Sequence, residues 1–166
     1  MSRERLRMPA TMESYDELRL FVLKRTPRGV HQKVDLVLEE LLLNVIYYAY
    51  TPDGETPDPA CAEAAGRSSR QGEMPDPDRV LEVELDRRGG ADCDSGTAEE
   101  FVLRVRDWGR PFDPVQRARP DTRCSLEKRT LGGLGILLVR KMADSVSYQR
   151  NANENIVDVR FIVPCR

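Results

Sequence analysis

The stretch Phe101-Val-Leu-Arg-Val-Arg-Asp-Trp-Gly-Arg-Pro-Phe-Asp113 joins a β-strand pattern to a turn pattern. Every second residue from Phe101 to Val105 is apolar, so these side chains share one face of a strand. Asp107 continues the alternation, which directs its carboxylate toward the core from the end of an apolar row. A buried carboxylate is costly unless donors satisfy it. We therefore expect Asp107 to meet hydrogen-bond donors inside the protein.

Two interpretations of Asp107 are open at this level. An ionised aspartate only accepts hydrogen bonds, and the amino group of adenine is a suitable donor to it in a nucleotide pocket. Alternatively, Asp107 caps backbone amides of the turn that Gly109 helps to form, and it only ends the strand.

A helix pattern earlier in the chain carries a second polar feature. Glu40, Asn44 and Tyr48 are four residues apart and therefore lie on one helix face. This polar stripe either faces solvent or lines a pocket. In a pocket, Asn44 would offer a carbonyl oxygen to a hard cation such as Mg2+, and Glu40 would be a base one turn away. The surrounding apolar residues, which suit the core, are Val37, Leu38, Leu41, Leu42 and Val45.

The third feature is the glycine loop Gly132-Gly133-Leu-Gly135, which runs into an apolar helix pattern at 136–139. Glycines let backbone amides approach phosphate oxygens, and a helix N-terminus favours negative charge. Isolated glycine loops are common, so this feature alone is a weak signal. The three features in this order supply the parts needed to hold a nucleotide, a metal ion and a reacting hydroxyl.

The rest of the chain alternates between strand, helix and turn patterns. Strands are predicted at 4–9, 79–86, 100–107, 145–150 and 156–163. Helices are predicted after a capping box at Ser14–Glu17, at about 30–50, and after the glycine loop. Segments 51–78 and 87–97 are rich in Pro, Gly or polar residues, so we expect mobile loops there. The expected fold class is α/β, a two-layer sandwich with helices on one face of a mostly antiparallel sheet.

Composition limits the function classes. The 166 residues carry a net charge of −2, and we expect a single domain spanning 1–166. The charges are interspersed, and no long apolar run is present, so we expect neither a nucleic-acid nor a membrane partner. His31 is the single histidine, which makes a Cys/His metal site improbable. Widely spaced cysteines without a signal-peptide pattern indicate reduced thiols and a cytoplasmic location: Cys61, Cys93, Cys124 and Cys165.

The three features in this order resemble the GHKL (Bergerat-fold) ATPases. Within that superfamily they are most similar to the anti-sigma factor serine/threonine kinases of bacterial partner-switching systems. The similarity covers 34–50 and 101 to about 163, and it is closest at 107–114 and 131–140. The resemblance implies a Bergerat-type fold, ATP and Mg2+ as cofactors, and protein kinase activity.

The resemblance also implies a role for each matching residue. Asn44 would ligate Mg2+, and Glu40 would be the general base for a protein serine or threonine hydroxyl. Asp107 would bind the adenine amino group, with Gly109 giving room for the ring. The phosphates would be bordered by Gly132, Gly133 and Gly135. The implied partners are an anti-sigma factor antagonist as substrate and a sigma factor, with a homodimer through the first strand and helix.

Three departures from the family pattern leave the base and the metal ligand in place. Tyr48 stands where many members carry histidine, Asn155 stands near the position of a usual threonine, and the 51–78 insertion is long. Two other functions are weighed. A nucleotide-responsive binding module without catalysis would not need Glu40. A histidine kinase fragment fits poorly, because His31 lies inside the nucleotide domain and no dimerising helical hairpin precedes it.

Overall fold

A computed structural model describes residues 3–51, 78–89, 98–113 and 134–163. Within these ranges the strands form one antiparallel five-stranded sheet in the order β1-β2-β3-β5-β4. The strands are β1 (Glu4–Pro9), β2 (Val80–Arg88), β3 (Glu99–Asp107), β4 (Ser145–Asn151) and β5 (Glu154–Val163). Helices cover one face of this sheet. The predicted α/β class is therefore confirmed.

The helices are α1 (Met12–Leu23), α2 (His31–Asn44) and α3 (Leu134–Met142), with a 3-10 turn at Arg28–Val30 before α2. The predicted second helix at about 30–50 is present, but its last part, Val45–Ala49, is a π-helical segment. In the parts of the chain that the structure describes, no helix has the length and apolar character needed to cross a membrane.

The capping box predicted at Ser14–Glu17 is wrong. Helix α1 already begins at Met12 with Thr11 as its N-cap residue, so Ser14 lies inside the first turn and is buried. The backbone N–H of Ala10 donates to the carbonyl of Arg79 at 2.9 Å, directly before the helix begins. This bond ties the end of β1 to the start of β2, and the chain turns into α1 two residues later.

Several strand boundaries also differ from the sequence prediction. Strand β2 continues to Arg88, where a loop was expected from 87, because residues 87 and 88 still pair with Phe101 and Glu100 of β3. Strands β4 and β5 each extend toward the other and are joined by a two-residue turn in which Ala152 has a φ of 50°. Most of the expected loops at 51–78 and 87–97 lie outside the described residues.

The hydrophobic core lies between the helices and one sheet face. Each fully buried Leu or Phe side chain contributes about 1.5–3 kcal/mol relative to an exposed one. The parity predicted for β3 holds, because Phe101, Leu103 and Val105 are all buried against the helices. The largest fully buried side chains include Leu18, Leu38, Leu42, Leu81, Leu103, Phe101 and Phe161.

The opposite face of the sheet, here called the outer face, buries charged side chains. Glu82, Glu84 and Asp86 alternate with the core residues of β2 and are 6%, 8% and 6% exposed. Arg106 on β3 contacts both glutamates, at 2.6 Å to Glu82 and 3.2 Å to Glu84. Arg104 bonds Glu84 at 3.3 Å, so arginines cover the acidic row and neutralise it.

Tyr50 joins three parts of the fold directly after the π-helical segment. Its hydroxyl donates to the carbonyl of Val80 and accepts from the Val80 N–H at 3.2 Å. The same oxygen accepts from the Trp108 N–H at 3.0 Å. The end of the π-helical segment, the start of β2 and the end of β3 are thereby fixed relative to one another.

Candidate functional site

A pocket opens where the end of α2 and the π-helical segment meet the ends of β3 and β5. It encloses about 510 Å³ of space, part of it open to solvent. Its walls are mainly apolar with a few polar groups, which is typical of small-molecule sites. The lining residues are Leu41, Asn44, Val45, Tyr48, Ala49, Val105, Asp107, Arg110, Phe112, Ile136 and Val157.

Asp107 lies in this pocket and is 7% exposed. Its Oδ1 accepts from the Gly109 N–H at 2.9 Å and from the side-chain amide of Asn155 at 2.8 Å. Asp107 therefore caps its own turn, as the second interpretation proposes, and it also lines a pocket, while its contact with adenine stays a prediction. Among the described residues no donor reaches the second oxygen, Oδ2. That oxygen is available to a donor on a ligand.

Burial raises the pKa of the Asp107 carboxyl above its ordinary value. The hydrogen bonds from Asn155 and Gly109 and the nearby charge of Arg150 act in the opposite direction, but burial is the largest effect. Arg150 does not form an ion pair with Asp107. The charge of Asp107 is thus supported mainly by neutral donors.

Asn155 is the supporting residue that the sequence indicated least clearly. It lies directly across from Asp107 in the β3–β5 register and is 2% exposed. Its side chain connects the Asp107 turn to β4, where Tyr148 and Arg150 donate to its carbonyl oxygen at 2.8 and 2.7 Å. The only sequence signal for these partners is strand parity, which places Tyr148 and Arg150 on one face of β4.

Gly109 is required by close packing against the π-helical segment. A Cβ at this position would overlap the carbonyl group of Ala49. The next residue, Arg110, donates its N–H to the same carbonyl at 2.8 Å. Single-turn π segments often occur at functional sites, and this one brings Ala49 and Tyr48 to the pocket wall.

Glu40 and Asn44 lie on one face of α2, as the spacing predicted. The amide nitrogen of Asn44 donates to the Glu40 carbonyl at 2.7 Å and to Glu40 Oε1 at 3.0 Å. The amide carbonyl of Asn44 therefore faces away from Glu40, and Oε2 of Glu40 is not used by this pair. Asn44 lines the pocket. Each residue thus keeps one oxygen for another group.

The glycine loop is described only from Leu134 onward. Gly135 lies in the first turn of α3, and any Cβ there would overlap the carboxylate of Glu40. The structure therefore brings Gly135, Glu40 and Asn44 together at one end of the site. Gly132 and Gly133 lie outside the described residues. Their predicted role beside phosphates stays a prediction.

The donor set fits Mg2+ held partly by a ligand. In the described ranges, no three His, Cys, Asp or Glu side chains gather in a way that would hold a metal ion by themselves. Mg2+ usually keeps several waters and binds through one or two protein oxygens together with substrate phosphates. Asn44 would supply one amide oxygen of this kind, and its role as a Mg2+ ligand stays a prediction.

Comparison with known families identifies the family of this chain. Residues 8–161 match the family HATPase_c_2, described as "Histidine kinase-like ATPase domain". The chain belongs to this family. Its domains bind ATP, usually with Mg2+, and the match supports the GHKL superfamily and an ATP-binding regulatory function. A comparison with curated proteins finds no match to the chain.

Proposed function

We propose that this chain is an ATP-dependent protein serine/threonine kinase of a bacterial partner-switching system. Its substrate would be an anti-sigma factor antagonist, and its second partner a sigma factor. The supporting observation is the Glu40–Asn44 pair at the pocket, in which each side chain keeps one oxygen unused by the other. A cytoplasmic location and a homodimer through β1 and α1 belong to the same proposal.

Asp107 and the apolar walls bind and orient the base. Oδ2 of Asp107 accepts from an exocyclic amino group, and side chains such as Val105 and Val157 exclude water around the ring. Gly109 allows the turn to approach Ala49 closely, which keeps this wall rigid. Orientation of this kind accounts for much of the rate in phosphoryl transfer, since little covalent chemistry falls to the protein.

Glu40 and Asn44 carry the chemical step. ATP with Mg2+ supplies the transferable γ-phosphoryl group. Asn44 offers its amide oxygen to the cation, while its amide nitrogen holds Glu40 Oε1 at 3.0 Å. Oε2 of Glu40 would accept the proton of a serine or threonine hydroxyl on the partner protein as that oxygen bonds to the γ-phosphorus and the bond from this phosphorus to ADP breaks, so that ADP leaves.

The test compares Glu40→Gln with Glu39→Gln. Glu39 is the exposed neighbour on the same helix and gives a matched loss of charge away from the pocket. Each variant is incubated with magnesium and γ-labelled ATP and with purified anti-sigma factor antagonists. We expect Glu40→Gln to lose label transfer by about 100-fold or more while it still binds magnesium-ADP, and Glu39→Gln to match wild type. Equal transfer by Glu40→Gln would refute the assignment of the base.

One observation favours a second function, a nucleotide-responsive binding module without catalysis. The carboxylate of Glu40 lies against Gly135 of α3, which restricts the approach of a substrate hydroxyl. A purely binding protein would keep the pocket and need no access to Glu40. Nucleotide binding by wild type, together with no phosphoprotein from any antagonist, would support this function over the kinase.

A further inference from the structure

The hydrogen bonding of Asn155 is complete. Its amide nitrogen donates to Asp107 Oδ1 at 2.8 Å and to the Arg110 carbonyl at 2.9 Å. Its carbonyl oxygen accepts from the Tyr148 hydroxyl at 2.8 Å and from Arg150 at 2.7 Å. An amide side chain has two N–H donors and an oxygen with two lone pairs, so all four positions are used.

The partners on its two sides agree on which way this amide faces. A guanidinium group only donates, so the atom of Asn155 beside Arg150 must be the oxygen. Burial raises the pKa of the Tyr148 hydroxyl, which keeps it protonated at neutral pH. The oxygen of Asn155 only accepts, so the Tyr148 hydroxyl donates its proton to it. The nitrogen of Asn155 therefore faces Asp107.

This orientation decides what Asp107 presents to a ligand. Asn155 and Gly109 both donate to Oδ1, which holds the carboxylate in place and leaves Oδ2 as an acceptor toward the pocket. A base with an amino group opposite Oδ2 gains a charge-assisted hydrogen bond. A base with a keto group at that position places two acceptors against each other.

We infer that Asn155 is a positioning residue for Asp107, and that Tyr148 and Arg150 support purine selectivity by anchoring the Asn155 side chain. The inference rests on the proposed nucleotide site. If the donors on β4 are lost, the amide oxygen loses both of its partners, and the side chain is held only through its nitrogen, by Asp107 and the Arg110 carbonyl. The amide is then free to shift, so the Asp107 carboxylate is held less firmly and its preference for an amino group weakens.

The test uses ADP and inosine diphosphate, which differ in the amino or keto group at position 6 of the purine and in the proton that the keto form carries on N1. Their dissociation constants are measured by calorimetry for wild type and for the Tyr148→Phe/Arg150→Met double variant. Matched controls are Ser147→Ala, which removes an exposed hydroxyl on β4, and Arg160→Met, which removes an exposed arginine on β5. We expect wild type and both controls to prefer ADP, and the preference ratio to fall by about tenfold in the double variant.

The ratio separates selectivity from a general loss of structure. A purely structural role for Tyr148 and Arg150 would weaken both nucleotides equally and leave the ratio unchanged, which would overturn the inference. If the double variant does not fold, the same comparison is made with Tyr148→Phe alone, and an unchanged ratio there also overturns it. A wild-type protein that binds neither nucleotide would instead refute the proposed nucleotide site.

Discussion

Strands β2 and β3 bury carboxylates on both faces of the sheet, and the two sets are stabilised differently. On the outer face, Glu82 and Glu84 are paired with arginines of β3. On the inner face, Asp107 is held by the neutral amides of Gly109 and Asn155. A structural charge is thus matched by an opposite charge, whereas the pocket carboxylate keeps one oxygen that no donor among the described residues reaches.

The difference matters for the proposed nucleotide site, because a fully paired Asp107 would have no oxygen left to accept from the amino group of the base. An arginine in bidentate contact with Asp107 would occupy both oxygens and lower the pKa of the carboxyl. Here Arg150 lies close enough to lower that pKa, but it bonds Asn155 and the Gly109 carbonyl instead. Burial therefore still raises the pKa of Asp107. A further donor that enters the pocket and reaches Oδ2 would stabilise the ionised carboxylate.

The largest effect is expected on the outer face. Arg106→Met leaves Glu82 buried and weakens the neutralisation of Glu84, and breaking a buried pair typically costs about 3 kcal/mol. In a domain of this size the melting temperature should fall by about 6–12 °C. Calorimetry measures this change, and ADP affinity of the folded variant should not change. A melting temperature within about 1 °C of wild type would show that the outer pairs contribute little.

At Asp107 we expect a smaller effect, and we expect it on ADP affinity and not on stability. In Asp107→Asn the Oδ1 bonds persist, but a donor replaces Oδ2 and faces the amino group of the base. ADP affinity should fall by about 30-fold, or about 2 kcal/mol. The free energy of unfolding without ligand should equal or exceed that of wild type at pH 7, because a buried charge is removed. Denaturant unfolding that shows a clear loss of stability would contradict this contrast.

The pH dependence gives a more gradual test of the same carboxyl. Its pKa is raised above 3.8, so the folded state binds the proton more tightly than the unfolded state. Its contribution to stability is therefore fully present below 3.8 and is lost as the pH rises through the raised pKa. Protonation removes the acceptor, so ADP affinity should weaken as the pH falls through that pKa. Titration calorimetry should find this change in wild type and not in Asp107→Asn.

The smallest effect is expected for an ion pair with one exposed partner at the end of the same strands. Arg87 contacts Glu99 with 55% of the Arg87 side chain and 13% of the Glu99 side chain exposed. Exposed ion pairs are worth roughly 0–1 kcal/mol, so Arg87→Met should change the free energy of unfolding by less than about 0.5 kcal/mol. Chemical denaturation beside Arg106→Met measures the difference. Equal losses in the two variants would mean that burial does not set the cost.

Features with a fixed local period could be predicted from the sequence. Side chains alternate along a strand, which placed Asp107 on the core face, and residues four apart share a helix face, which joined Glu40 to Asn44. The antiparallel sandwich followed from the same patterns. The assigned functional roles of the site residues stay predictions, although the structure brings the described ones to one pocket.

Features that depend on distant parts of the chain could not be predicted. The π-helical segment depends on Gly109 packing against Ala49, sixty positions away along the chain. The partnership of Asn155 with Asp107 depends on the β3–β5 register. The predicted start of α1 was wrong because the helix follows a hydrogen bond between Ala10 and Arg79, the residue just before β2, and this bond is not visible in the local sequence.

The bonds of the Tyr50 hydroxyl also determine how the chain tolerates changes in length. They hold together the point where the backbone leaves the described fold, at Thr51, and the point where it returns, at Asp78. The contacts that bring the two ends of this connection together therefore lie outside the connection itself. Doubling the length of such a connection costs only about 0.6 kcal/mol of closure entropy. An engineered reporter domain inserted between Thr51 and Asp78 should therefore leave Asp107 in place.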